Sequence, residues 1–197
     1  MSLVKPTLVI GIGGAGINMV EHTEELIKKQ LSDEKQQAFK YIALDTHENV
    51  GEKIDSDNIY PIPIEQPSGD IIGDAPEYHY ISGNKTLSES EGGVDRTRPL
   101  ARYHLDDNDN YSYVMDQIES QIDDHVAEFE STTTEEVSTT RNLNVWILNS
   151  LGGGTGSGLF LSVARLLKDV DKGGDYNLYM SGIGATPSLN INPDPSK

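Results

Sequence analysis

Short apolar runs alternate with amphipathic segments along most of the chain. Three runs are short and apolar, which is typical of strands buried within a sheet, and a fourth run predicts a last strand. Two further runs, at residues 58–64 and 78–82, predict short edge strands, because proline is tolerated at a sheet edge. The buried strands are predicted at Thr7–Gly11, Tyr41–Leu44 and Leu143–Asn149, and a last strand at Tyr176–Ala185.

Helical periodicity fills the intervals between these strands. After Gly16, apolar residues recur on one helical face, and a second amphipathic helix with an acidic outer face begins near Tyr111. Leu159–Val170 is apolar on most sides and predicts a buried helix. Glu130–Thr140 is polar and predicts an exposed loop. The apolar positions are Ile17, Val20, Ile27 and Leu31 in the first helix, and Val114, Ile118, Ile122, Val126 and Phe129 in the second.

The alternation of strand and helix predicts a three-layer α/β domain. Crossovers of this length impose a mainly parallel, Rossmann-like sheet with helices on both faces. Ligands in such sheets bind at the carboxyl ends of the strands. We expect residues 1–186 to form this domain and residues 187–197 to form a connector or tail. Asn49–Leu105, which holds most of the prolines, is expected to be the least regular part.

The amino-acid composition argues against some classes of binding partner. The 197 residues include 32 acidic and 15 basic ones, for a formal net charge of −17. This charge argues against nucleic acid and against anionic membrane surfaces as partners. No apolar run approaches the roughly 18 residues that cross a bilayer. The sequence therefore predicts a cytoplasmic protein without membrane insertion, and adaptation to high salt is an alternative explanation of the acidity.

The absence of cysteine excludes disulfides, thiolate zinc sites and a cysteine nucleophile. The five histidines are scattered and show no metal-ligand spacing. His22 and His125 are expected at surface or boundary positions of helices.

Two glycine-rich segments each lie between a predicted strand and a predicted helix. The first reads GIGGAG, from Gly11 to Gly16. Glycine lets a backbone approach a ligand closely, and a helix N-terminus favours a phosphate. This motif alone also fits a dinucleotide-binding fingerprint or a tight turn without a ligand.

The second segment, GGGTGSG from Gly152 to Gly158, is more specific. A turn needs one or two glycines, whereas five of these seven residues are glycine. Consecutive glycines allow several N–H groups to converge on one phosphate. Thr155 and Ser157 add hydroxyl donors without bulk. Two such loops at one sheet edge predict a nucleotide with several phosphates.

A third segment, EGGVDRTRP, carries two arginines in a chain that has few. Arg96 or Arg98 is a candidate to meet terminal phosphates. Salt bridges between this surface segment and nearby carboxylates are the equal alternative.

The motifs GIGGAGINMVEH and GGGTGSG together resemble those of the tubulin and FtsZ superfamily of GTPases. Three further segments resemble loops of that family. YIALDTHENV resembles the loop near the phosphates and magnesium, and GGVDRTRPLARYHL the loop under the terminal phosphate. GIGATPS resembles the loop near the ribose. The resemblance spans most of the chain, and only the two glycine loops anchor it strongly. The arginine-rich segment is more similar to a tubulin-like prokaryotic subgroup than to FtsZ.

The resemblance implies a GTP or GDP site with Mg²⁺ as a candidate ion, and self-association into filaments in the complete family member. It places Asp45 as a weak metal candidate. The nucleotide-binding residues that the motifs and the resemblance together predict are Gly11, Gly13, Gly14, Ala15, Gly16, Asn18, Asp45, Thr46, Gly92, Gly93, Arg96, Arg98, Gly152, Gly153, Gly154, Thr155, Gly156, Ser157 and Pro187.

Two departures from the family pattern bear on catalysis. His47 stands where the family carries an acidic residue, which weakens the case for direct magnesium ligation by this loop. No segment after Gly158 resembles the family's acidic catalytic loop or the segment that reads guanine. The sequence therefore resembles the N-terminal nucleotide-binding half. We expect no catalytic residue in it and very slow hydrolysis, if any.

Two other functions stay open from the sequence alone. One is a non-catalytic scaffold that keeps a nucleotide site. The other is an NAD-dependent oxidoreductase, since Gly11, Gly13 and Gly16 fit the dinucleotide fingerprint. Against the second, Asp45 lies further along the chain than the roughly 20 residues expected of the ribose-binding acid.

Overall fold

The structure is a computed structural model, and it describes residues 5–47, 49–66, 94, 97–132, 141–171 and 176–186. Several expectations fall outside these residues: the edge strand at residues 78–82, the tail at residues 187–197, and the site residues Gly92, Gly93, Arg96 and Pro187. The division at residue 186 stays a prediction.

A five-stranded sheet with the order β3-β2-β1-β4-β5 organises the described residues. All four strand pairings are parallel, which confirms the predicted α/β fold class. β3 is the proline-bearing strand and lies at an edge, as predicted. The strands are β1 (Thr7–Ile12), β2 (Phe39–Asp45), β3 (Ile59–Pro63), β4 (Arg141–Ser150) and β5 (Tyr176–Ala185).

Helices cover both faces of the sheet, and each face has its own hydrophobic core. On one face, Ile17 and Val20 of the first helix pack with Val9 of β1. On the other, the fourth and fifth helices pack on the alternate strand residues, among them Leu8 and Ile10. The helices are α1 (Gly13–Gln30), α2 (Asp33–Gln36), α3 (Arg98–Asp106), α4 (Asn108–Thr132) and α5 (Thr155–Asp171), with a 3₁₀ turn at Val50–Lys53.

Helix α3 differs from the expectation of irregular chain up to Leu105. Pro99 occupies the first turn of this helix, where its missing N–H removes no hydrogen bond. Ala101 and Leu105 point inward and are fully buried, so packing supports a helix that the prolines and glycines around it concealed. The sequence prediction was wrong for this element.

Two predictions about burial were also wrong. Leu161 of α5 is 68% exposed, so this helix is amphipathic rather than buried on most sides. His125 of α4 is 1% exposed, and its Nε2 lies 3.1 Å from the carbonyl oxygen of Ala38. None of the helices in the described ranges combines the length and apolarity that a membrane span requires.

Candidate functional site

The two glycine loops meet at one edge of the sheet because their strands are neighbours. Ile12 at the end of β1 pairs with Leu44 of β2 on one side and with Asn149 of β4 on the other. The carboxyl ends of these three parallel strands therefore lie level. α1 begins directly after β1, and α5 begins shortly after β4, so both helices present their N-termini to this edge.

The N-terminus of α1 is open to an anion. Its N-cap residue, Ile12, has no polar side chain and makes no capping hydrogen bond, and the first turn contains no acidic residue. Gly14 and Ala15 are exposed. The first N–H groups of a helix lack intrahelical acceptors and carry a partial positive charge, so this turn is suited to a phosphate.

Some polar groups of the second glycine loop form hydrogen bonds within the loop. The N–H of Gly152 donates to Ser150 Oγ over 3.2 Å. The hydroxyl of Ser157 donates to the carbonyl oxygen of Gly153, with a second acceptor at Gly154, 3.3 Å away. The N–H groups of the first turn of α5, beginning at Thr155, are therefore the donors that an anion would meet here.

The two loops interlock through glycine. Gly13 has a φ of +71°, a conformation that glycine adopts without strain. A Cβ on Gly13 would lie 2.9 Å from the backbone nitrogen of Gly156 and 3.1 Å from Thr155 Cβ. A Cβ on Gly156 would in turn lie 2.8 Å from the carbonyl oxygen of Ile12. The absence of side chains thus allows the two helix N-termini to lie side by side.

The remaining glycines of the loops fall into two groups. A Cβ on Gly16 would lie 2.5 Å from the carbonyl oxygen of Leu148, and one on Gly11 would lie 2.6 Å from that of Gly16. The protein's own packing therefore requires these two. At Gly14 and Gly153, by contrast, no described atom lies within 4 Å of the Cβ position. The fold does not need glycine at these two positions, and the space beside them is open.

Polar side chains lie at the ends of the strands beneath the loops. Thr46, which is buried, places its Oγ1 2.9 Å from Thr155 Oγ1, so a hydroxyl pair joins the end of β2 to the second glycine loop. Asp45 is 7% exposed, and Thr46 Oγ1 lies 3.5 Å from its carboxylate, too far for a strong hydrogen bond. Asn149 donates from Nδ2 to the carbonyl oxygen of Gly156 over 3.3 Å.

The side chains of Asp45, Thr46 and Thr155 are of the types that bind Mg²⁺. One carboxylate and two hydroxyls are the hard oxygen ligands that Mg²⁺ prefers, and Mg²⁺ commonly takes one or two protein carboxylates with the rest of its shell from phosphates and water. Within the described ranges, no group of three or more histidine and acidic side chains could hold a metal by itself. The donor set at Asp45 therefore fits an ion shared with a bound phosphate.

Helix α3 is fastened to the second glycine loop. Arg98 Nη2 donates to the carbonyl oxygen of Leu151 over 2.7 Å. A Cβ on Gly158 would lie 2.5 Å from the carbonyl oxygen of Arg98 and 2.8 Å from Ala101 Cβ, so the starts of α3 and α5 cross in close contact. Arg98, predicted as a phosphate ligand, is engaged with the loop itself.

Other predicted residues lie at the margin of the site. Asn18 is exposed on the second turn of α1. His47 is half-buried, and its Nδ1 accepts the N–H of Asn49 over 3.2 Å. Sequence reasoning missed Asn149, although a polar residue at the end of a buried strand beside a glycine loop was a usable signal.

Known proteins share part of this chain's sequence pattern. The model of a family described as tubulin like matches residues 81–197, more than half of the chain. This match includes the second glycine loop and leaves out the first. No curated protein matches the chain.

Two solved structures share the fold. CetZ from Methanosaeta thermophila strain DSM 6194 has a TM-score of 0.53 and 14% identity. TubZ of Bacillus thuringiensis serovar israelensis, in a GTPγS-form protofilament, has a TM-score of 0.51 and 15% identity. Each match covers 94% of this chain and 38% of the other, so the chain spans well under half of their length. The chain belongs to the tubulin-like family, and its parallel α/β sheet has the fold of the tubulin/FtsZ GTPase domain.

Proposed function

We propose that this chain binds a guanine nucleotide, GTP or GDP, with its phosphates between the two glycine loops. The observation that carries the proposal is the interlocking of two helix N-termini at one sheet edge, where Gly13 contacts Gly156. Each N-terminus supplies several backbone donors and a partial positive charge. In a chain with a net charge of −17, these backbone groups attract an anion without any basic side chain.

The open space beside Gly14 and Gly153 supports the same site. The fold tolerates a methyl group at both positions, since no described atom lies within 4 Å of either Cβ position. Glycine there keeps a volume free next to the N–H groups of the two loops. We propose that the phosphates occupy this volume, and that Asp45 and the hydroxyls of Thr46 and Thr155 bind the accompanying Mg²⁺, directly or through water.

The choice of guanine rests on family membership. Tubulin-like proteins in general bind GTP and GDP, and the TubZ neighbour is in a GTPγS form. That TubZ structure is also a protofilament, and we propose that this chain contributes to self-association of the same kind. The two glycine loops would hold a polyphosphate whichever base is attached. Competition between GTP and ATP therefore tests the preference for guanine.

Hydrolysis of the terminal phosphate depends chiefly on positioning and charge stabilisation. The N–H groups at Gly14, Gly153 and Thr155 would hold the phosphoryl oxygens, and Mg²⁺ would offset their charge. We propose that the residues that orient the attacking water come from another segment. The chain alone should then bind nucleotide and turn it over no faster than buffer does.

Equilibrium binding of labelled GTP, ATP and NAD in the presence of Mg²⁺ tests the proposal. We expect saturable binding of GTP that unlabelled GDP displaces, weaker binding of ATP and none of NAD. Binding of NAD in preference to GTP would instead support a dinucleotide site. The absence of any binding by a chain shown to be folded by circular dichroism would refute the proposed site.

A further inference from the structure

A cavity of about 490 Å³ lies at the opposite end of the sheet from the glycine loops. It opens between the first residues of β2 and β3, the later turns of α1 and α4, and the short helix α2. Its volume falls within the roughly 300–1,000 Å³ of small-molecule sites. Nothing in the proposed nucleotide site reaches it, because that site lies at the carboxyl ends of the same strands.

One wall of the cavity is held rigidly by a buried carboxylate. Glu24 of α1 is 3% exposed and accepts hydrogen bonds from Lys28 Nζ at 2.6 Å and from Asn58 Nδ2 at 2.7 Å. Burial raises its pKa, but the hydrogen bonds from Lys28, Asn58 and Ser56 outweigh that effect and lower the pKa below its ordinary value. The lowered pKa favours the charged form of Glu24, and its hydrogen bond to Asn58 links α1 to the residue just before β3.

Two largely buried side chains in the cavity wall have polar groups without hydrogen-bond partners among the described residues. Gln121 of α4 is only 8% exposed, yet its amide makes no hydrogen bond to any residue that the structure describes. Tyr41 of β2 is 6% exposed, and its hydroxyl likewise has no hydrogen-bond partner within the described ranges. Burial, with the charge of Glu24, raises the pKa of Tyr41. Neither polar group is sealed off, because among the described residues the fully buried side-chain atoms without a partner are the ring nitrogens of His104, so a ligand in the cavity can reach both groups.

The charge and the aromatic content of the wall indicate what that ligand is. Four carboxylates face the cavity against two lysines, and one of those lysines, Lys28, is already paired with Glu24. Three aromatic side chains, Phe39, Tyr41 and Tyr60, line the same space. Carboxylates together with aromatic rings attract organic cations through charge and cation–π interactions.

We propose that this cavity binds a small organic cation with N–H groups, an amine or a guanidinium. The N–H groups of such a ligand donate to the amide oxygen of Gln121, and its charge is balanced by the carboxylates at the cavity mouth, among them Asp57 and Glu128. The ligand accepts from the Tyr41 hydroxyl only where it also carries an acceptor, such as a neutral amine. This site is independent of the nucleotide site.

Calorimetric titration of the whole chain with agmatine, which carries a guanidinium and an amine, tests the inference. The chain is so acidic that any cation binds it weakly and non-specifically, so matched variants are needed. Glu128→Gln removes one negative charge from the cavity wall. Glu119→Gln removes one from an exposed position of the same helix. Gln121→Leu removes the unpaired amide without altering charge, and Gln121→Glu adds a carboxylate.

We expect one saturable site. Its dissociation constant should rise about fivefold or more with Gln121→Leu and with Glu128→Gln, as for the loss of one hydrogen bond or charge partner. It should stay unchanged with Glu119→Gln and fall with Gln121→Glu. Equal effects of Glu119→Gln and Glu128→Gln, or the lack of a saturable site, would overturn the inference. Gly14→Ala should leave agmatine binding intact, so failure of the nucleotide site would be distinguishable.

Discussion

Alanine at Gly16 should lower stability, whereas alanine at Gly14 should weaken nucleotide binding without a loss of stability. A methyl group on Gly16 would lie 2.5 Å from the carbonyl oxygen of Leu148 and 3.2 Å from the backbone of Gly11, so neither neighbour can move without distorting a strand. Overpacking of this kind costs about 1–3 kcal/mol. Gly16→Ala should therefore lower the free energy of unfolding by that amount.

Gly14→Ala meets no described atom within 4 Å, and only Gly13 among the described glycines has a positive φ. Its stability should equal that of the wild type or exceed it by up to about 1 kcal/mol, because alanine is the better helix former. Its methyl group, however, would enter the proposed phosphate volume. The dissociation constant for GTP should rise about tenfold or more, equivalent to about 1.4 kcal/mol.

Denaturant unfolding, followed by the fluorescence of the single tryptophan, measures the stability effect, and labelled GTP measures affinity. Gly51→Ala is the matched control, since a Cβ there would make only ordinary contacts with Pro61, at 3.5 and 3.8 Å, and this glycine of the 3₁₀ turn lies outside both loops. The control should leave GTP binding unchanged. If Gly14→Ala folds and binds GTP as tightly as the wild type, the space beside Gly14 is not where the phosphates lie.

Three further substitutions probe the contacts around the site. Thr155→Val removes the hydroxyl pair with Thr46 and should cost about 0.5–1.5 kcal/mol of stability and weaken GTP binding in Mg²⁺; unchanged binding would exclude a role for the pair. Arg98→Met removes the hydrogen bond to the carbonyl oxygen of Leu151 and should speed amide hydrogen exchange in the second glycine loop. Unaltered exchange would show that this hydrogen bond does not stabilise the loop. Burial lowers the pKa of His104 to about 4. As the pH falls, this imidazole takes up a proton in the unfolded chain before it does so in the folded chain. The free energy of unfolding should therefore fall by about 2 kcal/mol between pH 7 and pH 5. His104→Phe should flatten that decline in urea unfolding, and an unchanged slope would assign it to other groups.

The parts of the fold that could be predicted are those with a local cause. Continuous apolar runs mark the strands, and the glycine loops have a composition that a simple turn does not need. Because strand–loop–helix units impose parallel pairing, placing both loops at one edge required no tertiary information. The predicted sheet is confirmed, whereas the nucleotide-binding roles assigned to the glycines stay predictions.

The parts that could not be predicted depend on contacts between distant segments. Helix α3 was missed because proline and glycine signal a break wherever they occur, and only packing against α5 reveals that Pro99 begins a helix. His125 was expected at a surface or boundary position because periodicity identifies an apolar face but does not show which polar residue at its margin is covered. The bond from Arg98 to Leu151 joins residues far apart in the chain, and no sequence spacing indicates it.

The central claim is that two helix N-termini hold one nucleotide together. A titration of the isotope-labelled chain with GTP, followed by amide NMR in the presence of Mg²⁺, tests it most directly. We predict that amides at Gly14 and Ala15, and those at Gly153 and Thr155, shift together and report the same dissociation constant. Saturable shifts confined to one loop, or shifts in both loops with different constants, would contradict the claim.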